Sequence, residues 1–208
     1  MDVQQLQQIV SSLPPDQQAE MLDLVTEYQS ALVKEGAREN FIEFVRYVWP
    51  GFIEGPHHRL VADKFDRIAS GELKRLMVFM PPRHSKSEFA SYLLPSWILG
   101  KDPTKKIIQA SNTGELAIGF GRKVRNLVGS EKFAGLFHDV SLSADSKAAH
   151  RWNTNHGGEY FAVGTQGKVT GRGANLLIID DPSSEQEAAL NSSNVYHSQY
   201  AWYKAGPR

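Results

Sequence analysis

Apolar residues recur every three or four positions through the first part of the chain. Further on they gather into short runs separated by helical stretches. Leu6, Ile9, Val10 and Leu13 sit at helical spacing, and SLPPDQQAE then offers a cap and a restart. Met21, Leu24, Val25, Tyr28 and Leu32 form a second stripe. This pattern predicts a helical hairpin that packs on the core or on a neighbour. GAREN closes it, which sets a boundary near residue 40 between a helical appendage, 1–40, and a main domain, 41–208.

The main domain opens with an aromatic-rich helix in FIEFVRYVWP, a loop broken by Pro and Gly, and the helix HHRLVADKFDRIASGE. From residue 74 the pattern alternates. RLMVFM reads as a strand, Ser87–Leu99 as a helix, KKIIQAS as a strand and TGELAIGFGRKVRNLVG as a helix. WNTNHGGEYFAVGTQGKVTGRG suggests a hairpin and a glycine-rich loop, and ANLLIIDDP a buried strand. Strands alternating with helices predict an α/β fold whose mainly parallel sheet is covered on both faces. No internal repeat or low-complexity tract interrupts it.

At 208 residues the chain is long enough for one such domain and a short appendage. No apolar run approaches the roughly 18 residues of a membrane span, and MDVQQLQQIV lacks the basic start of a signal peptide. With no cysteine, disulfides and thiolate metal sites are excluded. The zero formal net charge hides an asymmetry: residues 1–40 hold seven acids and two bases, so the remainder is mildly basic. That falls short of the footprint of a dedicated nucleic-acid binder. A nucleic-acid role would need clustered charge or help from another domain.

The chemistry begins at RLMVFMPPRHSKSEFASYLL, a strand, turn and helix with Lys86-Ser87 at the turn. Backbone N–H groups at a helix start attract phosphate. A lysine there reaches β/γ-phosphates, and the adjoining hydroxyl holds Mg²⁺. Arg83 adds a second cation. The phosphate-loop consensus wants glycine at its first and sixth positions, which hold Met80 and Ser85. Pro81-Pro82 offers stiffness instead. Downstream, LLIIDDP ends an apolar strand in Asp180 and Asp181, where a metal carboxylate and a water-polarising acid belong; a capping turn after a core strand is the plain alternative.

Taken in order, GPHHRLVADKF, MPPRHSKSE and VTGRGANLLIIDDP resemble the ATPase domain of the large terminase subunit of tailed bacteriophages, the motor that drives DNA into the procapsid. The similarity runs from about residue 40 to the C-terminus. The family usually reads PPRHGKSE, so Ser85 departs at one glycine, whereas a non-glycine at the position of Met80 is tolerated. The resemblance implies an ASCE-type P-loop NTPase fold and Mg²⁺-dependent ATP hydrolysis. It implies nucleotide binding by Arg83, His84, Ser85, Lys86, Ser87 and Glu88, with Ser87 and Asp180 on the metal. Double-stranded DNA, a portal protein, a small terminase subunit and a homo-oligomeric, pentameric ring on the procapsid in the host cytoplasm are the implied partners and setting. Family members continue into a coupling strand, a lid and an RNase-H-like nuclease, all absent before YAWYKAGPR. This sequence therefore reads as a fragment or the product of a split gene.

Several assignments stay open. The family more often has Asp-Glu after the strand, so the catalytic acid is Asp181 or, failing it, Glu185 or Glu187. Arg172, between Gly171 and Gly173, matches the position of an arginine finger given to a neighbouring subunit; Arg122 and Arg125 are the runners-up. Trp49, Pro56, His57 and His58 are candidates for adenine stacking and edge contacts. A zinc reading of His57-His58 is disfavoured, because adjacent residues seldom converge on one metal. A nucleotide-binding ring-assembly module without hydrolysis is the alternative function, and Ser85 and Asp181 are its support.

Overall fold

The computed structural model describes residues 14–145, 148–169, 171–184 and 193–206. The expected helix through Leu6 and Leu13, and the acids Glu185 and Glu187, lie outside them. The chain divides into two compact units, Met1–Ile53 and Glu54–Arg208. The boundary expected near residue 40 falls inside the first.

In the first unit, α1 spans Pro15–Glu39 and starts with proline in its first turn, where a missing N–H costs nothing. Asn40 turns extended, with φ −121°, and α2 follows at once over Phe41–Val48. Phe41, Phe44 and Val45 on α2 are buried, with the two phenylalanine rings 6.5 Å apart. Leu24, Tyr28 and Leu32 of the predicted stripe are instead 54%, 57% and 47% exposed.

The second unit opens with α3, Pro56–Ala69. Gly55 is its N-cap, and the His58 side chain reaches back to accept from the Gly55 N–H at 2.9 Å. The predicted strand 75–80 is a correction. It joins no sheet, and Met77 and Phe79 are 82% and 89% exposed. A strand exists through its ladder, and no described strand lies beside this one. After the turn, helix begins at Lys86 and runs to Lys101, but Glu88–Leu93 winds as a π segment before α4, Leu94–Lys101.

Four strands form the sheet in the order β2-β3-β1-β4. β1 (Lys106–Ser111) lies at the centre, parallel to β3 (Glu159–Gly164) and to β4 (Leu176–Asp180), while β2 (Arg151–Asn153) pairs antiparallel with β3. The fold is α/β with a mixed sheet flanked by helices. The hairpin and the central strand follow the sequence pattern. β4 does not: it is an edge strand, with Ile179 38% exposed. α5 (Gly114–Val128) starts at Thr113, whose hydroxyl accepts from Leu116 N–H, and packs on β1 and β3. Gly121 faces Tyr160 and Ala162 of β3, which a Cβ there would meet at 3.2 and 3.5 Å, and that Cβ would also strike the Ala149 carbonyl at 2.4 Å. The short α6 (Glu131–Ala134) follows, and α7 (Ser193–Ala205) ends the described chain. Trp97, Trp152 and Tyr160 are the largest side chains of the core.

Candidate functional site

The turn 81–87 joins two other stretches: Lys86 reaches the end of β4 and the loop after it, and His84 meets the start of α3. Pro81 and Pro82 lead into a turn in which Arg83 and Ser85 take φ of 64° and 66°. Left-handed residues of this kind cost about 1–2 kcal/mol each away from glycine. Backbones of this type aim successive N–H groups at one side and make an anion-binding concavity. Ser85 thus adopts the conformation a glycine would take. Asp181 has φ 43°. Three of the four described non-glycine residues with positive φ therefore belong to this one cluster, the other being Gln166.

Lys86 opens the helix and points across to β4. Its Nζ donates to Asp181 Oδ1 and lies 3.2 Å from Asp180 Oδ1. Burial alone would lower the pKa of this lysine, but its hydrogen bond to Asp181 and the charge of Asp180 outweigh it and raise the value above 10.5. The ammonium is therefore firmly charged. The two acids differ: Asp180 is 5% exposed and Asp181 65%.

Asp180 is held from behind. Its Oδ2 accepts from Ser91 Oγ at 3.0 Å, and Ser91 Oγ in turn accepts from Gln109 Nε2 at 3.2 Å. The loop beyond is pinned through its backbone. Asn112 N–H donates to the Asp181 carbonyl at 3.1 Å. The Pro182 carbonyl accepts from Asn112 Nδ2 at 3.2 Å, Thr165 Oγ1 at 3.3 Å and Gln199 Nε2 at 2.8 Å.

The histidines join the same cluster. The His57 ring lies 3.9 Å from that of His58 and 5.6 Å from that of His84 in the turn, and His58 stacks on Phe89 at 5.0 Å. His84 Nδ1 is 2.8 Å from the Pro82 carbonyl. Burial, then the neighbouring His57, lowers the pKa of His58 from 6.5. Pro56 is exposed at the first position of α3. Trp49 belongs to the first unit, where its ring packs 5.3 Å from Phe52.

Other predicted residues sit differently. Glu88 is bound to Lys123 of α5 at 2.6 Å. Ser87 lies half-buried beside Lys86, and Arg83 is exposed with no carboxylate partner among the described residues. Arg172 was expected to point outward. Instead its Nη1 donates to Glu159 Oε1 at 2.7 Å, and its guanidinium lies 4.1 Å from the centre of the Phe161 ring, both on β3. Arg122 is exposed on α5, and Arg125 is half-buried there.

The donors suit a hard divalent cation. Ser87, Asp180 and Asp181 offer only oxygen, and Asp180 has one oxygen fixed and the other facing the turn. Among the described residues no group of three or more His, Asp or Glu side chains forms a metal cage. A cation here would take its remaining ligands from phosphate and water, as Mg²⁺ does beside nucleotides.

Ser91, Gln109, Asn112, Thr165 and Gln199 were missed by sequence reasoning. Gln109 carried a signal, as a lone amide inside the apolar run KIIQAS, and Ser91 another, one helical turn beyond Ser87. The chain matches no protein-family model and no curated protein.

Proposed function

We propose that this chain is the ATPase domain of a DNA-packaging motor of the large-terminase type, a P-loop NTPase that hydrolyses ATP to move double-stranded DNA into a procapsid. One observation carries the reading. A charged lysine at the start of a helix, in a turn with two strained residues, faces a buried carboxylate at the end of a parallel strand. Strained backbone and a buried charge facing a lysine are features that cluster at ligand-binding and catalytic sites.

In this reading the 83–86 backbone cradles the phosphates, and Lys86 leaves Asp181 to meet the β- and γ-phosphate oxygens. Ser87 and Asp180 would hold Mg²⁺, which would offset charge on the phosphate oxygens. Asp181, once released by Lys86, accepts a proton from the attacking water. The His57 imidazole, half-buried at the start of α3, offers a face to the base, while His58, buried against Phe89 and capping Gly55 through Nδ1, supports it from behind. Arg172 serves a neighbouring subunit only if its Glu159 pair opens. A portal protein, a small terminase subunit and a ring of identical subunits complete the proposed machine.

The same Lys86–Asp181 pair favours a second reading, a ring-assembly module that binds nucleotide without hydrolysing it. There the pair is the resting structure and Asp181 has no water to polarise. Single-turnover hydrolysis, with assembled protein in excess over radiolabelled ATP and Mg²⁺, separates the two. Phosphate release supports the motor reading. Bound but intact ATP supports the module, and failure to bind ATP overturns both.

A further inference from the structure

The buried hydroxyl behind Asp180 has no part in the scheme above. Ser91 is fully buried in the π segment, and it hydrogen-bonds the carboxylate assigned to the metal. The direction of the hydrogen bonds is fixed by chemistry. The Asp180 carboxylate can only accept, so Ser91 must spend its single proton on Oδ2. Ser91 Oγ must then accept from Gln109, whose Nε2 also lies 3.4 Å from Ser111 Oγ. Gln109 and Ser111 are themselves fully buried on β1. The chain Gln109–Ser91–Asp180 thus runs from the central strand, through the helix that carries the phosphate turn, to the edge strand.

A buried carboxylate is costly unless hydrogen-bonded, and a carboxylate that rotates cannot present one chosen oxygen. In the present state Lys86 holds Oδ1. When the lysine moves to phosphate, Oδ1 loses that partner, and the Ser91 hydrogen bond to Oδ2 remains to keep the group from turning. The π winding fits this role. Wide turns inside helices recur at functional sites, and Ser91 lies within this one, on the helix that also carries Ser87.

We propose that Ser91 is a positioning residue for the metal site: it fixes Asp180 through Oδ2 so that Oδ1 is aimed at the cation once Lys86 has left. The proposal rests on Asp180 being the metal carboxylate. Outer partners of this kind typically change metal affinity about 10–100-fold when removed.

The test titrates Mg²⁺ into wild-type, Ser91→Ala, Asp180→Asn and doubly substituted protein at fixed fluorescent ATP analogue, with a parallel titration of the analogue in EDTA. Ser91→Ala should raise the Mg²⁺ concentration for half-saturation about 10-fold and leave metal-free affinity within about twofold, because it acts only through the carboxylate. In the Asp180→Asn background, Ser91→Ala should add nothing further, the mark of two residues acting as one unit. An unchanged Mg²⁺ dependence overturns the role. So does an equal loss with and without metal, which would mean general loosening of the turn, and so does full additivity with Asp180→Asn. Should Ser91→Ala not fold, Gln109→Met, which strips the donor behind Ser91, must shift the Mg²⁺ dependence the same way; no shift overturns the role. A wild type that binds the analogue without regard to Mg²⁺ removes the metal reading of Asp180, and the role of Ser91 with it. A metal-dependent wild type with an indifferent Ser91→Ala removes the role alone.

Discussion

Replacing Asp181 by Asn should tighten nucleotide binding while it abolishes turnover, and the two effects have separate causes. Asparagine tolerates positive φ better than most residues, so the 43° backbone at this position survives the change. What is lost is the charge that holds Lys86. In the nucleotide-free protein the ammonium is bound to Asp181, and that pair must break before the lysine can reach phosphate. Asp181 is 65% exposed, so the pair belongs with surface ion pairs, worth about 0.2–1 kcal/mol. Affinity for MgATP should therefore rise about 1.4–5-fold. Turnover should fall sharply, since an amide cannot take the proton of the attacking water. A fluorescent-nucleotide titration reads the first effect and phosphate release the second. Weaker binding in Asp181→Asn would refute the reasoning, because it would show Asp181 holding the metal rather than restraining the lysine.

Ser85→Gly removes a left-handed residue costing about 1–2 kcal/mol and returns about 0.5–1 kcal/mol to the unfolded chain. A thermal melt should hold level or rise by up to about 6 °C, and a fall would show that Ser85 makes a contact worth more than its strain. The pKa of His58 is lowered, so the folded state binds fewer protons than the unfolded one below pH 6.5. Stability is then fully present above pH 6.5 and lost as pH falls through the lowered value; His58→Gln, which still caps Gly55, should flatten that slope in denaturation at stepped pH. Arg172→Ala breaks the Glu159 pair and the Phe161 contact, at about 1–2 kcal/mol in urea denaturation, with nucleotide affinity of the lone subunit unchanged. No loss of stability would mean that the arginine is free to serve a neighbour.

The central part of the site was legible because its chemistry is local. Lys86 and Ser87 follow a turn and open a helix, and an apolar run ends in Asp180 and Asp181, so each half announces itself in a few residues. The residues that hold these groups in place are not local. Ser91 and Gln109 read as ordinary interior positions of a helix and a strand, and only the fold reveals that they meet over one carboxylate. The π winding of Glu88–Leu93 leaves no mark in the apolar period. Residues 75–80 and β4 failed in a related way. Alternation and apolar runs say that a segment suits a ladder, but not whether a neighbour is present, and among the described residues one segment has no partner strand and the other has a single one. Arg172 misled because flanking glycines suggest a free side chain, while the acid and ring that bind it lie on another strand. The histidines were legible as a pair near the turn, and the ring contact of His57 with His84 brings them to it.

The most direct test of a phosphate site at Lys86 is calorimetric titration of ATP, with Mg²⁺ and with EDTA, into wild-type protein and Lys86→Ala. The account predicts saturable, Mg²⁺-dependent binding in the wild type. It predicts a loss of about 1.5–3 kcal/mol in the variant, roughly 10–150-fold in affinity, as one charge-assisted contact to phosphate disappears. Equal affinity in the two proteins would contradict it.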